Sequence, residues 1–179
     1  AGLMTARVLS NHFAQVILVE RDKVDDQPAA RKGQPHTRHV HGLLAKGLTT
    51  MQHYFPTLVN DLTAGGALMV DMGQAMHWYA FGGYRRQFTS GMIGALMSRP
   101  FLEWQIRRQV MALPNVQVID ACAVEGLAFS ADRSRVTGVM IQQRTGDQEA
   151  MTLLADLVVD ASGRGSASPK WLAQAGFAK

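Results

Sequence analysis

Residues 1–22 read AGLMTARVLSNHFAQVILVERD, and two periodicities meet in that stretch. Leu3, Ala6, Val8, Leu9 and Phe13 fall close to one face of a helix, with few turn residues before Ser10-Asn11. Val16-Ile17-Leu18-Val19 is then an unbroken apolar run, the pattern of a parallel strand covered on both faces, and it stops at Glu20-Arg21-Asp22. A helix followed by a buried parallel strand is half of a βαβ unit. The first strand of that unit is expected upstream of Ala1, and a helix opening at Ser168-Pro169 runs to Lys179, so the chain reads as a fragment cut at both ends.

The rest of the chain supports an α/β class. A helix is predicted from His39 to Tyr54, closed by Pro56, with a shorter one over Leu58–Leu62. Ala67–Phe88 reads as strands and Gly91–Leu96 as a loop of small residues. Arg99–Leu113 is a helix with Pro100 in its first turn and Leu102, Ile106, Val110 and Leu113 along one face. Val116–Ile119 is a short strand. Val124–Phe129, Val136–Gln142 and Met151–Val159 make a β-meander joined by polar turns, one of them Thr145-Gly146-Asp147. Met69, Met72, Met76, Met92 and Met97 read as core filling.

Composition narrows the function classes. The chain has 179 residues, 47% of them hydrophobic and 18% charged, enough for an ordinary core and too apolar for long disorder. No apolar run approaches the roughly 20 residues of a spanning helix, so no integral membrane segment is expected. The lone Cys122 fits a reducing compartment, and a cytoplasmic protein is expected. The net charge of +4 is spread over isolated pairs such as Arg31/Lys32, Arg85/Arg86 and Arg107/Arg108, without the basic stripe of a nucleic-acid partner. His36, His39 and His41 crowd one segment, but no Cys or carboxylate pair with ligand spacing stands beside them, so no metal is assigned. No Ser-His-Asp or Cys-His set and no Walker-type loop occurs, which leaves the catalytic residues unassigned.

Three features point to a nucleotide. Gly2 stands 18 residues before Glu20, the relation between the last glycine of a dinucleotide fingerprint and the acidic residue that bonds a ribose. The stretch Leu157–Ser166, LVVDASGRGS, follows a strand with two glycines and two serines able to bring backbone N–H groups to a phosphate. Arg99 in Ser98–Glu103, SRPFLE, stands at a helix start, where an anion is already favoured. Taken singly, a generic helix start followed by a surface glutamate, a plain turn and an exposed capping arginine account for the three.

Together with Val19–Asp22 and with Gln34–Leu44, QPHTRHVHGLL, these residues resemble the FAD-dependent aromatic hydroxylase-like flavoproteins. That superfamily includes p-hydroxybenzoate hydroxylase, squalene epoxidase, flavin-dependent halogenases and geranylgeranyl reductases. The resemblance runs over nearly the whole chain. It implies a Rossmann-like FAD/NAD(P)-binding domain with an inserted β-meander, incomplete over residues 1–179, in which about 65–98 contribute to a substrate-facing layer. Gly2 would approach the FAD pyrophosphate, Glu20 would hold the adenosine ribose, and Arg21 would lie beside it. Arg99 would reach the flavin-side phosphate or ribityl chain, and Arg38 would open the helix beside the flavin. Val124 would contact adenine through its backbone, and Asp160 and Gly163 would sit where strand meets cofactor. Ser162-Gly163 stands where the family has an Asp-Gly pair, and the family's Gly-Asp motif is expected beyond Lys179. The implied activity is a monooxygenase that uses NAD(P)H and oxygen on an apolar or aromatic small molecule. A prenyl reductase or a halogenase on the same frame, or a nucleotide-binding module without flavin, are the alternatives.

Overall fold

Packing first follows the local patterns. In the computed structural model, which describes residues 1–31, 37–39, 41–144 and 150–177, the opening stripe is helix α1 (Gly2–Leu9) and the apolar run is strand β1 (Val16–Val19). Asn115 locks the turn between them. Its Nδ2 donates to the carbonyls of Ser10 (2.8 Å) and Phe13 (2.9 Å), carbonyls that a chain leaving a helix would otherwise leave unbonded. The chain as a whole is mixed α/β and falls into two compact units, residues 1–24 with 111–179, and residues 25–110.

In the first unit, β1 pairs in parallel with the strand at Val116–Ile119, in the register Val16↔Val116 to Val19↔Ile119. In chain order the intervening strands of the second unit are β2 (His41–Leu43), β3 (Leu68–Asp71), β4 (Tyr79–Ala80), β5 (Gly83–Tyr84) and β6 (Ile93–Met97), so Val116–Ile119 is β7. The meander follows as β8 (Cys122–Phe129), β9 (Val136–Gln143) and β10 (Met151–Leu154), an antiparallel sheet in the order β10-β9-β8. Ala6, Val16, Cys122 and Ile141 are the buried apolar residues of this first unit. A 3-10 turn (Gly163–Gly165) leads to the last helix at Ser168–Gln174.

In the second unit, β6 is the central strand of an antiparallel sheet, β2-β6-β3. Helices α2 (Ala45–Tyr54), α3 (Leu58–Ala64), α4 (Met72–Ala75) and α5 (Arg99–Met111) belong to the same stretch of chain, which makes Ser168–Gln174 α6. Leu43, Leu48, Phe55, Leu58, Leu62, Ala67, Ala95, Leu102, Ile106 and Val110 are buried and form its core. Leu102, Ile106 and Val110 of the stripe read from the sequence thus face inward, whereas Leu113 lies beyond the helix end at Met111 and is half-buried.

Five expectations need correcting. His39 does not open a helix: His41–Leu43 is a strand, paired His41↔Met97 to Leu43↔Ala95, and α2 starts only at Ala45, because a partner distant in sequence outcompetes the local apolar period. Gly91–Leu96 is not a loop; most of it is β6. Gly94 and Ala95 are small because the strand is crowded on both sides, and a Cβ on Gly94 would meet Met72 Cε and lie 3.0 Å from the Leu43 carbonyl. Ala67–Phe88 is not all strand, since Asp71 caps α4 at Met72. The last meander strand ends at Leu154 rather than Val159. Leu154 pairs with Gly138, the Ala155 N–H reaches the Thr137 carbonyl, and β9 begins at Val136, so the chain beyond has run off its partner. Finally, Met76 and Met92 are exposed and fill no core. The expected turn at Thr145-Gly146-Asp147 and the residue His36 lie outside the described residues.

Candidate functional site

The carboxyl end of the β1/β7 pair is built backbone first. The Glu20 N–H donates to the Ile119 carbonyl (2.8 Å) and the Cys122 N–H donates to the Glu20 carbonyl (3.0 Å), so Glu20 is held from both sides. Its half-buried carboxylate turns back to accept the Asp22 N–H at 3.0 Å. Between β7 and β8 the chain reverses through Ala121, whose φ of 50° is unusual for a residue with a Cβ. Asp120 accepts the Val24 N–H at 2.7 Å and steadies the segment leaving β1.

A shallow depression beside Glu20 is lined by Arg21, Asp22, Lys23, Ala121 and Arg144. Arg21 and Arg144 each stand 3.6 Å from the Asp22 carboxylate, and Arg144 also donates to the Arg21 carbonyl. Arg144 and Ala121 carried no signal in the sequence: one is a lone arginine at a strand end, the other an alanine. Val124 is half-buried in β8 opposite Ile141, directly before the bulge at Glu125. Among the described residues β8 has a sheet partner on one edge only, β9.

The second wall of this unit is the loop after Val159. Asp160 accepts the Ser162 N–H (2.8 Å) and the hydroxyls of Ser162, Ser166 and Ser168. Those hydroxyls, Ser162 first, hold its carboxyl far below the usual carboxylate range. Asp160 is thereby an organiser of the loop. The spacing of three serines two, six and eight residues after an aspartate is the signal that could have found it. Gly163 follows at φ 75°, with open space where a Cβ would stand. The loop meets the start of α1, since a Cβ built on Gly2 would lie 3.4 Å from Ala161 Cβ. Ala1 offers that helix no side-chain cap, and its first turn holds no acid. Its leading N–H groups suit an anion.

The structure therefore brings Gly2, Asp160 and Gly163 to one place, and gathers Glu20, Arg21 and Val124 around the ends of β1 and β8. Arg99 and Arg38 belong to the second unit. Arg99 is half-buried as the first residue of α5, and Arg38 is exposed in a turn, not at a helix start. His41 stands at the head of β2. Burial, then the Arg99 charge, lowers its pKa, so the imidazole is neutral at neutral pH. The described residues hold no group of three or more His, Cys, Asp or Glu that could bind a metal ion. No helix among them is long and apolar enough to cross a membrane.

These residues fit a dinucleotide in their donor set: an uncapped helix start, a loop with a left-handed glycine, and a fixed acid at a strand's carboxyl end. No protein-family model matches the chain. It is 38% identical, over a 188-residue alignment, to Protein Rv3254 of Mycobacterium tuberculosis (strain ATCC 25618 / H37Rv). The alignment takes in 99% of this chain and 39% of that protein, so the chain spans well under half the length of the relative it matches.

Proposed function

We propose that the chain belongs to a Rossmann-like FAD-binding domain of an oxidoreductase, with a monooxygenase that oxidises an apolar or aromatic small molecule as the activity. One observation carries the reading. The acid-bearing end of a parallel strand pair belongs to the same unit as a glycine-opened, uncapped helix whose start is flanked by a second glycine loop. Ligands of open α/β sheets bind beyond the carboxyl ends of the strands.

In this reading the α1 N–H groups and Gly2 face the pyrophosphate, and the Glu20 carboxylate accepts a ribose hydroxyl. Arg21 lies beside that ribose, and the backbone at Val124 meets the adenine. Asp160 keeps the loop in the shape that lets Gly163 come close. The resemblance further assigns Arg99 to the flavin-side phosphate, Arg38 to the segment beside the flavin, and about 65–98 to a substrate-facing layer. FAD, when bound, would supply the redox chemistry between NAD(P)H and dioxygen. The chain positions the ring and keeps water from it.

The test is the visible spectrum of the protein expressed from its complete reading frame, before and after NADPH. A flavin spectrum that bleaches and returns with oxygen supports the reading. A colourless protein that refuses added FAD overturns it. Glu20→Ala removes a hydrogen bond to a charged acceptor, about 1.5–3 kcal/mol, and is expected to weaken FAD binding by roughly tenfold to a hundredfold. Unchanged occupancy removes Glu20 from the site.

A further inference from the structure

From Asp71 to Gly91 the chain leaves the sheet as a closed arm. Its base is tied by Asp71, whose carboxylate accepts the N–H groups of Gly73, Gln74, Ser90 and Gly91 and the Ser90 hydroxyl. Further out, Phe88 N–H bonds the Gly73 carbonyl, Gln87 the Gln74 carbonyl (2.6 Å), and Arg85 N–H the Trp78 carbonyl (2.8 Å). Strands β4 and β5 complete it, Tyr79 opposite Tyr84 and Ala80 opposite Gly83. The two-residue turn at the tip has φ of 54° at Phe81 and 84° at Gly82, the pairing that suits a tight hairpin and normally selects Asn or Gly first. Phe81 accepts this conformation and buries nothing: it is 101% exposed.

The arm's other large side chains stand out as well. Trp78 is 52% exposed and Tyr84 74%, with Tyr79 and Phe88 similar. Tyr79 and Tyr84 meet edge to face on one side of the hairpin, at 5.1 Å, and Arg85 lies over the Trp78 ring on the other, at 5.7 Å. From Met72 to Ser98 the only formal charges are Arg85 and Arg86, with no Asp or Glu. Both arginines are exposed.

We infer that this arm docks on the surface of an anionic lipid bilayer. A flat protein partner covers one face of a hairpin, whereas here aromatic rings occupy both faces and the tip, as dipping into an interfacial layer requires. Trp and Tyr favour the headgroup level, the apolar Phe81 tip reaches the acyl boundary, and two arginines without opposing acids attract anionic headgroups. Exposed Met76 and Met92 also gain from acyl chains and offer little to the stacking that a nucleic acid would need.

The experiment is sedimentation of the protein with sucrose-loaded vesicles, either phosphatidylcholine alone or phosphatidylcholine with phosphatidylglycerol. Binding to the anionic vesicles is expected. Arg85→Gln with Arg86→Gln should weaken it about 30-fold, the equivalent of ~1 kcal/mol for each arginine. Trp78→Ser with Phe81→Ser should remove it while leaving the thermal midpoint unchanged, because neither side chain holds the arm's base. Failure of the native protein to sediment overturns the inference, as does sedimentation that neither pair of substitutions alters. Self-association, or RNA binding, abolished by Trp78→Ser with Phe81→Ser and without vesicle binding also overturns it, assigning the arm to that partner. The vesicle readout needs no flavin, so its outcome is separate from that of the spectrum.

Discussion

Glu103 is the buried charge whose removal should be felt most. It sits on α5 with its side chain 9% exposed, between Arg31 at 2.6 Å and Arg107 at 3.6 Å. Those guanidiniums are themselves 19% and 10% exposed. Arg107 also donates to the Asp25 carbonyl and Trp104 to that of Asp26, so the same helix face clamps the segment 25–31. Glu103→Ala removes the carboxylate that faces both guanidiniums, in a place with little water. Breaking a buried pair by removing one partner typically costs 3–5 kcal/mol. A loss of about 3–5 kcal/mol is therefore expected. Glu103→Gln keeps the shape and one acceptor oxygen and should cost about half as much. Urea unfolding at neutral pH, followed by circular dichroism, measures both. Replacing Arg31, Glu103 and Arg107 together by methionine should recover most of the loss, because desolvating the ions offsets much of their attraction. A Glu103→Ala cost below about 1 kcal/mol would refute the reasoning, since it is the size of an exposed pair.

Three further outcomes are expected. Asp71 has its pKa lowered from 3.8 to about 2, the Ser90 hydroxyl first among the causes. A folded pKa below the unfolded one contributes stability above about pH 4 that is lost as the pH falls towards 2. The gap in acid stability between the native protein and Asp71→Asn should therefore close over that interval, and a gap independent of pH would dismiss the carboxylate latch. Cys122 is buried, its thiol donates to the Gln142 carbonyl at 3.3 Å, and burial raises its pKa. It should resist a thiol-specific disulfide reagent until the chain is unfolded, and fast labelling of the native protein would contradict its placement. Gly163→Ala forces a Cβ into a left-handed conformation at about 1–2 kcal/mol, so its thermal midpoint should fall by several degrees while Gly165→Ala hardly changes; equal midpoints would count against the loop geometry.

The elements legible in the sequence are those that local pattern and burial specify together. The α1 stripe and the four apolar residues of β1, α5 with a proline in its first turn, and the β8 and β9 strands joined by a polar turn needed no partner to be named. Gly2, Glu20, Asp160 and Gly163 were legible as candidates for the same reason, since a glycine before a helix and an acid after an apolar run are local signals. The aromatic arm was not, because the same letters, Trp78, Tyr79, Phe81 and Tyr84, spell a buried strand or a bare hairpin. Only the absence of packing around them distinguishes the two.

By itself, then, the sequence determined the α/β class, the parallel strand with its terminal acid, and the residue types gathered at that end. Tertiary structure alone decided the identity of β2 and β6. Their pairing joins His41–Leu43 to Ala95–Met97 across more than fifty residues of chain, and hydrogen bonds at that separation leave no local period. It also decided that β10 stops at Leu154, close to where its antiparallel partner β9 begins, and that Asp160 holds three serine hydroxyls. The physical reason is common to all of them. Periodicity records which face of an element is apolar, whereas pairing, crowding and exposure depend on what else arrives there.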